Sequence, residues 1–487
     1  MNRLEDFFVG RLRDNINIIK TLFDKDSIIR FRNFSFCGGI EACLIYFDGM
    51  VNVDLINDSI MRPLVLARNL PRDENTVEYV YKNLLYAGEV KLVGEVKTAA
   101  ASMLYGDTLL LIEGCKTALI INTKGWRTRG ISEPENERVL EGPREGFDEA
   151  AMFNAAMLRR RLKTPDFCAE MTNIGRRTNT LVFICYLKSL VNREVLRELK
   201  SRLDKIDIDA VLDSNYITEL ISDRPSSFFK NVGKTERPDV VCAQLLEGRV
   251  ALIVDGTPMV ITLPYLFSEN FQSDEDYYIN HGLASAGRLL RMLCFFLSFS
   301  APAVFIALTT FHFEFLPSAF ALTVAKAREG VPFSTLTEAL ALTVVFEILR
   351  ETGIRMPQSV GHALSIVGGL VVGQAAVEAR IISAPMLIIV ALIGICGLTV
   401  PRLKTAVFFM RFIMIPAAGL FGLYGYIFML LVFLIYLLGM TSFGVDSTTS
   451  LLSSFGRRFK DVFRRTGWRN MKTRPEIQKN DRVRKNG

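Results

Sequence analysis

The hydrophobic and polar positions divide this 487-residue chain into two unlike parts. Up to about residue 288, apolar runs of strand length alternate with charged segments, which is typical of soluble α/β structure. Residues 289–441 hold long apolar runs with few charged side chains, and such runs are typical of transmembrane helices. We therefore predict an α/β domain followed by an all-α, polytopic membrane domain of about five to six helices.

The first part of the soluble region contains a pattern that recurs later in the chain. Residues 41–52 predict a strand and a turn, and a helix-like run follows at 53–66. Residues 180–203 repeat this order, so that Asn52 matches Asn192 at an offset of 140 residues. Matching strand–helix segments at one offset indicate an internal repeat.

Two predicted β-hairpins recur at nearly the same offset. The first begins at Gly106 and turns at Glu113-Gly114, and the second begins at Gly248 and turns at Asp255-Gly256. The two glycine pairs are each 142 residues apart. We interpret the cytosolic region as two copies of one strand–helix–hairpin α/β unit, although hairpin chemistry is common enough to match by coincidence.

These patterns set the domain boundaries. We predict an N-terminal helical or flexible segment at 1–29, α/β unit 1 at 30–126, a linker with a helix at 127–175, α/β unit 2 at 176–288, the membrane domain at 289–441 and a basic cytosolic tail at 442–487. The run Arg159–Arg161 ends the linker helix. It fits either a solvated helix end or a contact with a partner subunit or with lipid head groups.

The membrane part begins with an apolar span at 289–310, and Arg288 and Arg291 place its start in the cytosol. The next apolar run, 316–325, is too short for a full span, so it is either a shallow return or a re-entrant piece. Residues 406–440 are too long for one crossing. Gly419, Gly422 and Gly425 therefore predict a break into two short spans.

Residues 338–355 form an amphipathic pattern whose polar stripe contains Thr343, Glu347, Arg350 and Glu351. A charge facing lipid there would cost several kcal/mol. The helix therefore lies either on the membrane surface or against a watery interior shared with other helices. The second alternative makes Glu347, Arg350 and Glu351 candidates for an ion path or its gate.

Residues 360–379 carry small side chains at every fourth position. These are Gly361, Ser365, Gly369 and Gly373, and they predict one smooth face for close helix packing. Gln374 and Glu378 lie four residues apart near the end of this segment. The face either packs against another helix or lines a path for ions, with Gln374 and Glu378 near its mouth.

The net charge of +7 is localised in the tail, since the residues from Gly444 onward carry a balance of +8. A basic segment after a hydrophobic block is typical of the cytosolic side, where it either contacts anionic lipid or is simply solvated. We expect no nucleic-acid partner.

No sequence motif for catalysis, nucleotide binding or metal binding is present, so we predict no enzyme, no cofactor and no metal site. The eight cysteines form no CxxC pair and are expected to be reduced. Asp274, Glu275 and Asp276 are predicted to be a solvated helix start.

An ordered set of short motifs runs through the chain. It comprises Gly142–Phe147, Asn154 with Arg159–Arg161, Thr235-Glu236-Arg237-Pro238-Asp239, Asp276–Tyr278, Val331–Phe333, Phe346–Gln358, Ser365–Ala379 and, in the tail, Asp461, Arg464 and Thr473–Pro475. Over roughly residues 30–475 this set resembles the A subunit of bacterial spore germinant receptors. The motif Thr235–Asp239 is expected to have a structural role.

The resemblance implies a multi-pass subunit of the spore inner membrane whose soluble domain and tail face the spore core. It implies partners of two kinds, a transporter-like B subunit and a lipoprotein C subunit, together with a homo-oligomer of A subunits. The implied function is ion release in response to a nutrient. The alternative is a non-conducting scaffold that recruits germination partners, like the stage V sporulation membrane relative.

Overall fold

The structure is a computed structural model that describes residues 7–68, 76–125, 134, 137, 139–355, 373–448, 461–471 and 474. In these residues the chain builds two five-stranded antiparallel sheets with their helices, and then a bundle of long helices. Both five-stranded sheets lie before residue 264, the bundle begins at 281, and a two-stranded antiparallel sheet (Thr441–Ser442 with Val445–Asp446) follows it.

The first sheet has the strand order β1-β2-β4-β5-β3. Its strands are β1 (Ile29–Phe36), β2 (Ile40–Phe47), β3 (Val90–Val93), β4 (Thr108–Ile112) and β5 (Ala118–Ile121). The predicted hairpin at Glu113-Gly114 is confirmed, since β4 and β5 pair with Leu109 opposite Ile120.

The second sheet has the equivalent order β6-β7-β9-β10-β8. Its strands are β6 (Phe167–Ile174), β7 (Thr180–Leu187), β8 (Gly233–Thr235), β9 (Val250–Val254) and β10 (Val260–Leu263). In both sheets the first two strands form a hairpin with eight residue pairs. The hairpin predicted at Asp255-Gly256 joins β9 and β10.

The helices that accompany the two sheets occur at similar places in the chain order of each sheet. They are α1 (Leu12–Leu22), α2 (Val53–Ile56) continued by a π-helical turn (Asn57–Met61) into α3 (Arg62–Leu66), α4 (Thr76–Tyr79), α5 (Val96–Met103), α6 (Ala151–Arg161), α7 (Arg193–Leu203), α8 (Ser214–Ile221) and α9 (Pro238–Leu246). The matched residues Asn52 and Asn192 both cap helices: each side-chain oxygen accepts a backbone N–H two residues further on.

Helix α6 occupies the same structural position as α1. Asn15 in α1 and Asn154 in α6 each bind the chain six residues before them through both side-chain atoms. The backbone N–H of Gly114 donates to Gly10 O (2.8 Å), as that of Gly256 donates to Glu149 O (2.7 Å). The helix that we assigned to a linker at 127–175 is therefore arranged like the helix that precedes β1.

Alternate strand residues divide the soluble part into layers. One face of both sheets packs against α1, α5, α6 and α9, which together form a single core. The opposite face of the first sheet packs on α2 to α4, and that of the second sheet packs on α7 and α8. Strands buried on both faces explain why Leu109–Ile112 and Val250–Val254 are uniformly apolar.

Arg159 contacts residues of both sheet units. It is completely buried, forms an ion pair with Asp26 and donates to Phe167 O (3.1 Å). Its guanidinium also lies over the rings of Phe47 and Phe167, at 4.6 and 4.7 Å from the ring centroids. The alternative of a solvated helix end is wrong for Arg159, which is buried, whereas the half-buried Arg160 and Arg161 both pair with Glu145.

The helical bundle contains six helices among the described residues. They are α10 (His281–Thr310), α11 (Ser318–Ala327), α12 (Thr335–Arg355), α13 (Gly373–Glu378), α14 (Ala384–Leu398) and α15 (Lys404–Leu438). Two stretches in the described part, His281–Thr310 and Pro401–Leu438, are long and apolar enough to cross a membrane. The short helices α11 and α14 are also apolar.

The long helix α15 is broken at Gly422, which has φ 60° and ψ −145° inside otherwise helical backbone. L-residues avoid this conformation, so glycine permits the break. A Cβ at Gly422 would lie 3.0 Å from Phe311, at the end of α10 away from the sheets. The helix therefore leaves the sheet end of the bundle, turns at the predicted position and returns, and Tyr436 binds Ser227 (3.0 Å).

We predict that Asp26→Asn destabilises the chain by about 3–5 kcal/mol, because it leaves the buried Arg159 without a counter-charge. Asp48→Asn is the matched control, since Asp48 pairs with Arg30 at the surface; it should change stability by less than about 1 kcal/mol. Thermal unfolding of the detergent-solubilised full chain measures both. Equal effects of the two substitutions would contradict the role of Arg159.

Candidate functional site

The turn that joins the second sheet to the bundle brings together charged residues from several of the motifs. A 3₁₀ turn, Asp274–Tyr277, precedes α10, and its acidic side chains point into two ion-pair clusters. We call the cluster around Asp274 the motif cluster and the cluster around Asp276 the entry cluster. Asp276 is buried and Asp274 is largely covered, with side-chain exposures of 3% and 14%, so the prediction of a solvated helix start is wrong for both.

The motif cluster begins at Thr235–Asp239. Thr235 Oγ1 donates to Glu137 Oε2 (2.5 Å) and accepts the backbone N–H of Arg237 (3.1 Å). The buried Arg237 donates to Pro143 O (3.0 Å) and to Asp239 (2.8 Å). Pro238 is the first residue of α9, where its missing N–H leaves no helical bond unmade. The motif thus holds the linker segment around Glu137 and Pro143 against α9.

Arg402 connects the motif cluster to the bundle. It lies between α14 and α15, and its Nη2 is 3.2 Å from Glu137 Oε1 and 3.7 Å from Asp274 Oδ1. Its Nη1 donates to the carbonyls of Glu269 (3.3 Å) and Gln272 (3.4 Å). One guanidinium therefore contacts the soluble domain at four points. A movement of the α14–α15 connection must change these contacts.

Burial raises the pKa of Asp274 to about 6, against the lowering effect of Arg402. Arg237, whose Nε lies 3.8 Å from Asp274, also lowers this pKa, whereas Glu137 and Asp239 raise it. Burial likewise raises the pKa of Tyr278, whose hydroxyl donates to Asp239 and so remains a hydrogen-bond donor.

The entry cluster holds the beginning of α10. Asp276 accepts from Arg288 (2.8 Å) and from Arg291 (2.6 and 2.7 Å). Arg288 also binds Asp461 of the tail (2.9 Å), and Tyr277 donates to the same carboxylate (2.6 Å). The tail, predicted only as a basic segment, therefore packs against the first turns of α10.

A third polar cluster lies inside the bundle. Glu347 on α12 pairs with Arg350, and its Oε1 lies 3.6 Å from Nη1 of Arg411 on α15. Arg411 is 2% exposed and donates to Ser298 O on α10 (3.1 Å). Thr343 and Glu347 of the polar stripe thus face other helices, which does not fit the membrane-surface alternative at these two positions.

A fourth cluster lies at the end of the bundle away from the sheets. The buried Glu338 accepts from the backbone N–H (3.2 Å) and the hydroxyl (2.7 Å) of Ser383, which caps α14. Arg328 approaches Glu338 to 3.7 Å. These contacts fix the starts of α12 and α14 to each other, and no feature of the sequence pattern singled them out.

The other candidate residues are not gathered at one point. Glu351 is exposed one turn beyond Glu347, and Gln374 and Glu378 are exposed on α13. Gly373 packs against Leu387, whereas Gly361, Ser365 and Gly369 lie outside the described residues. Arg411 and Arg402 were missed as candidates; the signal for Arg411 was a lone charge within a 35-residue apolar stretch.

The comparisons with known proteins agree on one family. The family model described as "Bacillus/Clostridium GerA spore germination protein" matches residues 17–477. The chain belongs to the GerA family of spore germination proteins. The predicted resemblance to germinant receptor A subunits is thereby confirmed.

Relatives of this GerA-family chain match over nearly its whole length. Spore germination protein KA of Bacillus subtilis is 40% identical over 462 residues, which cover 94% of this chain and 85% of the relative. GerLA of Bacillus cereus is 32% identical over 470 residues, which cover 96% of this chain and 95% of the relative. The crystal structure of the N-terminal domain of the A subunit of the Bacillus megaterium germinant receptor GerK3 is 32% identical, with a TM-score of 0.43, covering 54% of this chain and 97% of that one.

We predict that Asp461→Asn loosens the tail from α10, because it removes the carboxylate that binds Arg288 and accepts from Tyr277. Trypsin should then cleave at Arg464 and Arg465 at least about tenfold faster, as about 1.4 kcal/mol of lost protection corresponds to tenfold. Glu275→Gln, a carboxylate of the turn before α10, is the control and should leave cleavage unchanged. Equal cleavage of wild type and Asp461→Asn would contradict the arrangement of the entry cluster.

The raised pKa of Asp274 predicts a pH-dependent stability difference. Because its pKa rises from 3.8 to about 6 on folding, ionisation opposes folding, and this part of the stability is lost as pH increases from 4 to 6. Asp274→Asn lacks that loss. The free energy of unfolding of this variant, relative to that of the wild type, should therefore increase by up to about 3 kcal/mol over this interval. Thermal unfolding at pH 4, 5, 6 and 7 tests this; a difference that does not vary with pH would refute it.

Proposed function

We propose that this chain is a membrane subunit of a nutrient germinant receptor and forms or gates its ion-conducting part. The names of its relatives support the germination role. The proposed location is the spore inner membrane, with the sheets and the tail on the core side. The proposed partners are a transporter-like B subunit, a lipoprotein C subunit and further copies of this chain.

The Glu347–Arg411 pair carries the proposal of an ion path. Charged groups inside a membrane are costly and are commonly found where ions or protons pass. Here the two side chains come from α12 and α15, and α10 supplies a carbonyl, so three helices meet at one charged point. At 3.6 Å the two groups form an ion pair without a direct hydrogen bond. This point is where we place the gate.

The motif cluster supplies the coupling. Arg402 lies directly before α15, and Arg411 lies on the first part of that helix, about 14 Å further along at 1.5 Å per residue. A shift of the soluble domain relative to Arg402 would therefore move Arg411 relative to Glu347. In this proposal the two sheet units, which we take to be copies of one ancestral unit, form the rigid body that moves.

Oligomerisation would cover the apolar outer surface of the bundle in part. Large exposed side chains on α14 and α15 include Ile388, Ile395, Leu398, Leu420 and Tyr424. Such a surface faces lipid or neighbouring copies. A ring of copies would place several Glu347–Arg411 pairs around one axis.

We predict that Glu347→Gln changes the ion flux of the complex by about tenfold or more, which corresponds to about 1.4 kcal/mol at the barrier. The neutral side chain removes the counter-charge of Arg411. Glu351→Gln, one turn away and exposed, is the matched control and should leave the flux within about twofold, or about 0.4 kcal/mol. The measurement is nutrient-triggered potassium release from spores that contain equal amounts of each variant.

The double substitution Glu347→Gln/Arg411→Gln separates conduction from folding. Removing both charges leaves the partly exposed Arg350 without Glu347 but takes away the deeply buried charge of Arg411, so protein levels should recover relative to Glu347→Gln alone. If the double variant reaches wild-type levels and also releases ions at the wild-type rate, the pair is not part of the path. The non-conducting scaffold then becomes the better account.

A further inference from the structure

The tail segment 461–471 presents aromatic and basic side chains to the outside. Phe463 is 45% exposed and Trp468 is 56% exposed, and Arg464 and Arg469 are exposed beside them. Tryptophan and arginine together are typical of the boundary between a membrane and water. Asp461 and Arg465 attach the segment to α10, through Arg288 and Ser285.

The attachment fixes the height of this segment along α10. The backbone N–H of Arg465 donates to Ser285 Oγ (3.1 Å), and the Arg465 guanidinium lies over the rings of Tyr277 and Trp468 at 5.8 and 5.5 Å. Ser285 belongs to the second turn of α10. The segment therefore lies beside the first turns of the helix, on the sheet side of the bundle.

Exposed leucines of α10 cluster one turn further on, after the single exposed Leu283. Leu289, Leu290 and Leu293 are all more than half exposed. Ser285 precedes Leu289 by four residues, or about 6 Å at 1.5 Å per residue. The headgroup layer of a bilayer is about 5–8 Å thick on each side of its hydrocarbon core. If the hydrocarbon begins at Leu289, the segment 461–471 lies at the depth of the lipid phosphates.

We propose that residues 461–471 form an anchor that binds anionic phospholipids of the adjacent leaflet, with Phe463 and Trp468 inserted at the interface and Arg464 and Arg469 on the phosphates. Each arginine near an anionic surface strengthens binding by about fivefold, from about 1 kcal/mol. Since Asp461 also holds Arg288, lipid bound here supports the start of α10. The proposal rests on membrane insertion of the bundle and not on ion conduction.

Trp468 provides the probe, because the chain contains only two tryptophans and the other, Trp126, can be replaced by Phe. The full-length Trp126→Phe chain is placed in nanodiscs that contain lipids brominated near the headgroup. We expect Trp468 fluorescence to be quenched by the bromines and shielded from acrylamide. Both effects should be stronger with phosphatidylglycerol than with phosphatidylcholine, and should weaken at high salt.

Two charge-matched variants complete the test. Arg464→Gln/Arg469→Gln should remove the dependence of quenching on anionic lipid, whereas Arg482→Gln/Arg484→Gln, which removes the same charge outside this segment, should retain it. Equal loss in both variants, equal quenching in both lipids, or no quenching would overturn the proposal. It would also be overturned if a soluble polyphosphate shifted the Trp468 emission equally without anionic lipid. Incorporation into nanodiscs is measured separately, so failure of the anchor is distinguishable from failure of membrane insertion.

Discussion

The need to neutralise buried guanidinium groups determines how the parts of this protein fit together. In the part of the chain that the structure describes, the four bulkiest fully buried side chains are arginines, namely Arg159, Arg237, Arg288 and Arg411. An unpaired charge in such a place costs several kcal/mol, so each arginine requires an acceptor from another segment. Each one lies at a boundary: between the two sheets, between α9 and the linker, at the start of α10, and among three helices of the bundle.

These contacts form a continuous connection from the soluble domain to the bundle. Arg237 and Arg402 share Glu137 and Asp274, and Asp276, two residues further on, binds Arg288 and Arg291. The C-terminal side is tied in as well, because Ser442 after α15 binds Tyr265 (3.0 Å) and Asn231 (2.7 Å) beside the second sheet. A bundle attached to the soluble domain at both of its ends can transmit a movement of one half to the other.

Local signals in the sequence predicted the elements well, and long-range pairings poorly. The hairpins at Gly114 and Gly256 and the break at Gly422 follow from backbone preferences of a few residues, which can be read directly. The partners of Arg159 and Arg402 lie 133 and 265 residues away, and no pattern along the chain specifies them. The prediction that Asp274 is solvent-exposed is wrong for the same reason. Three consecutive acidic residues are typical of an exposed segment, and the arginines that surround two of them here come from other segments of the chain. In the bundle, the polar stripe on α12 identifies Glu347 and Arg350 from the sequence. That Arg411 is the partner of Glu347 can be seen only from the packing of α15 against α12.

We propose that the bundle conducts ions when the complex binds a nutrient. Conductance of the purified receptor complex, including this chain, is measured in planar lipid bilayers before and after nutrient is added. We expect discrete channel currents that appear with nutrient and require this chain. A complex that binds nutrient and remains electrically silent at every potential would contradict it.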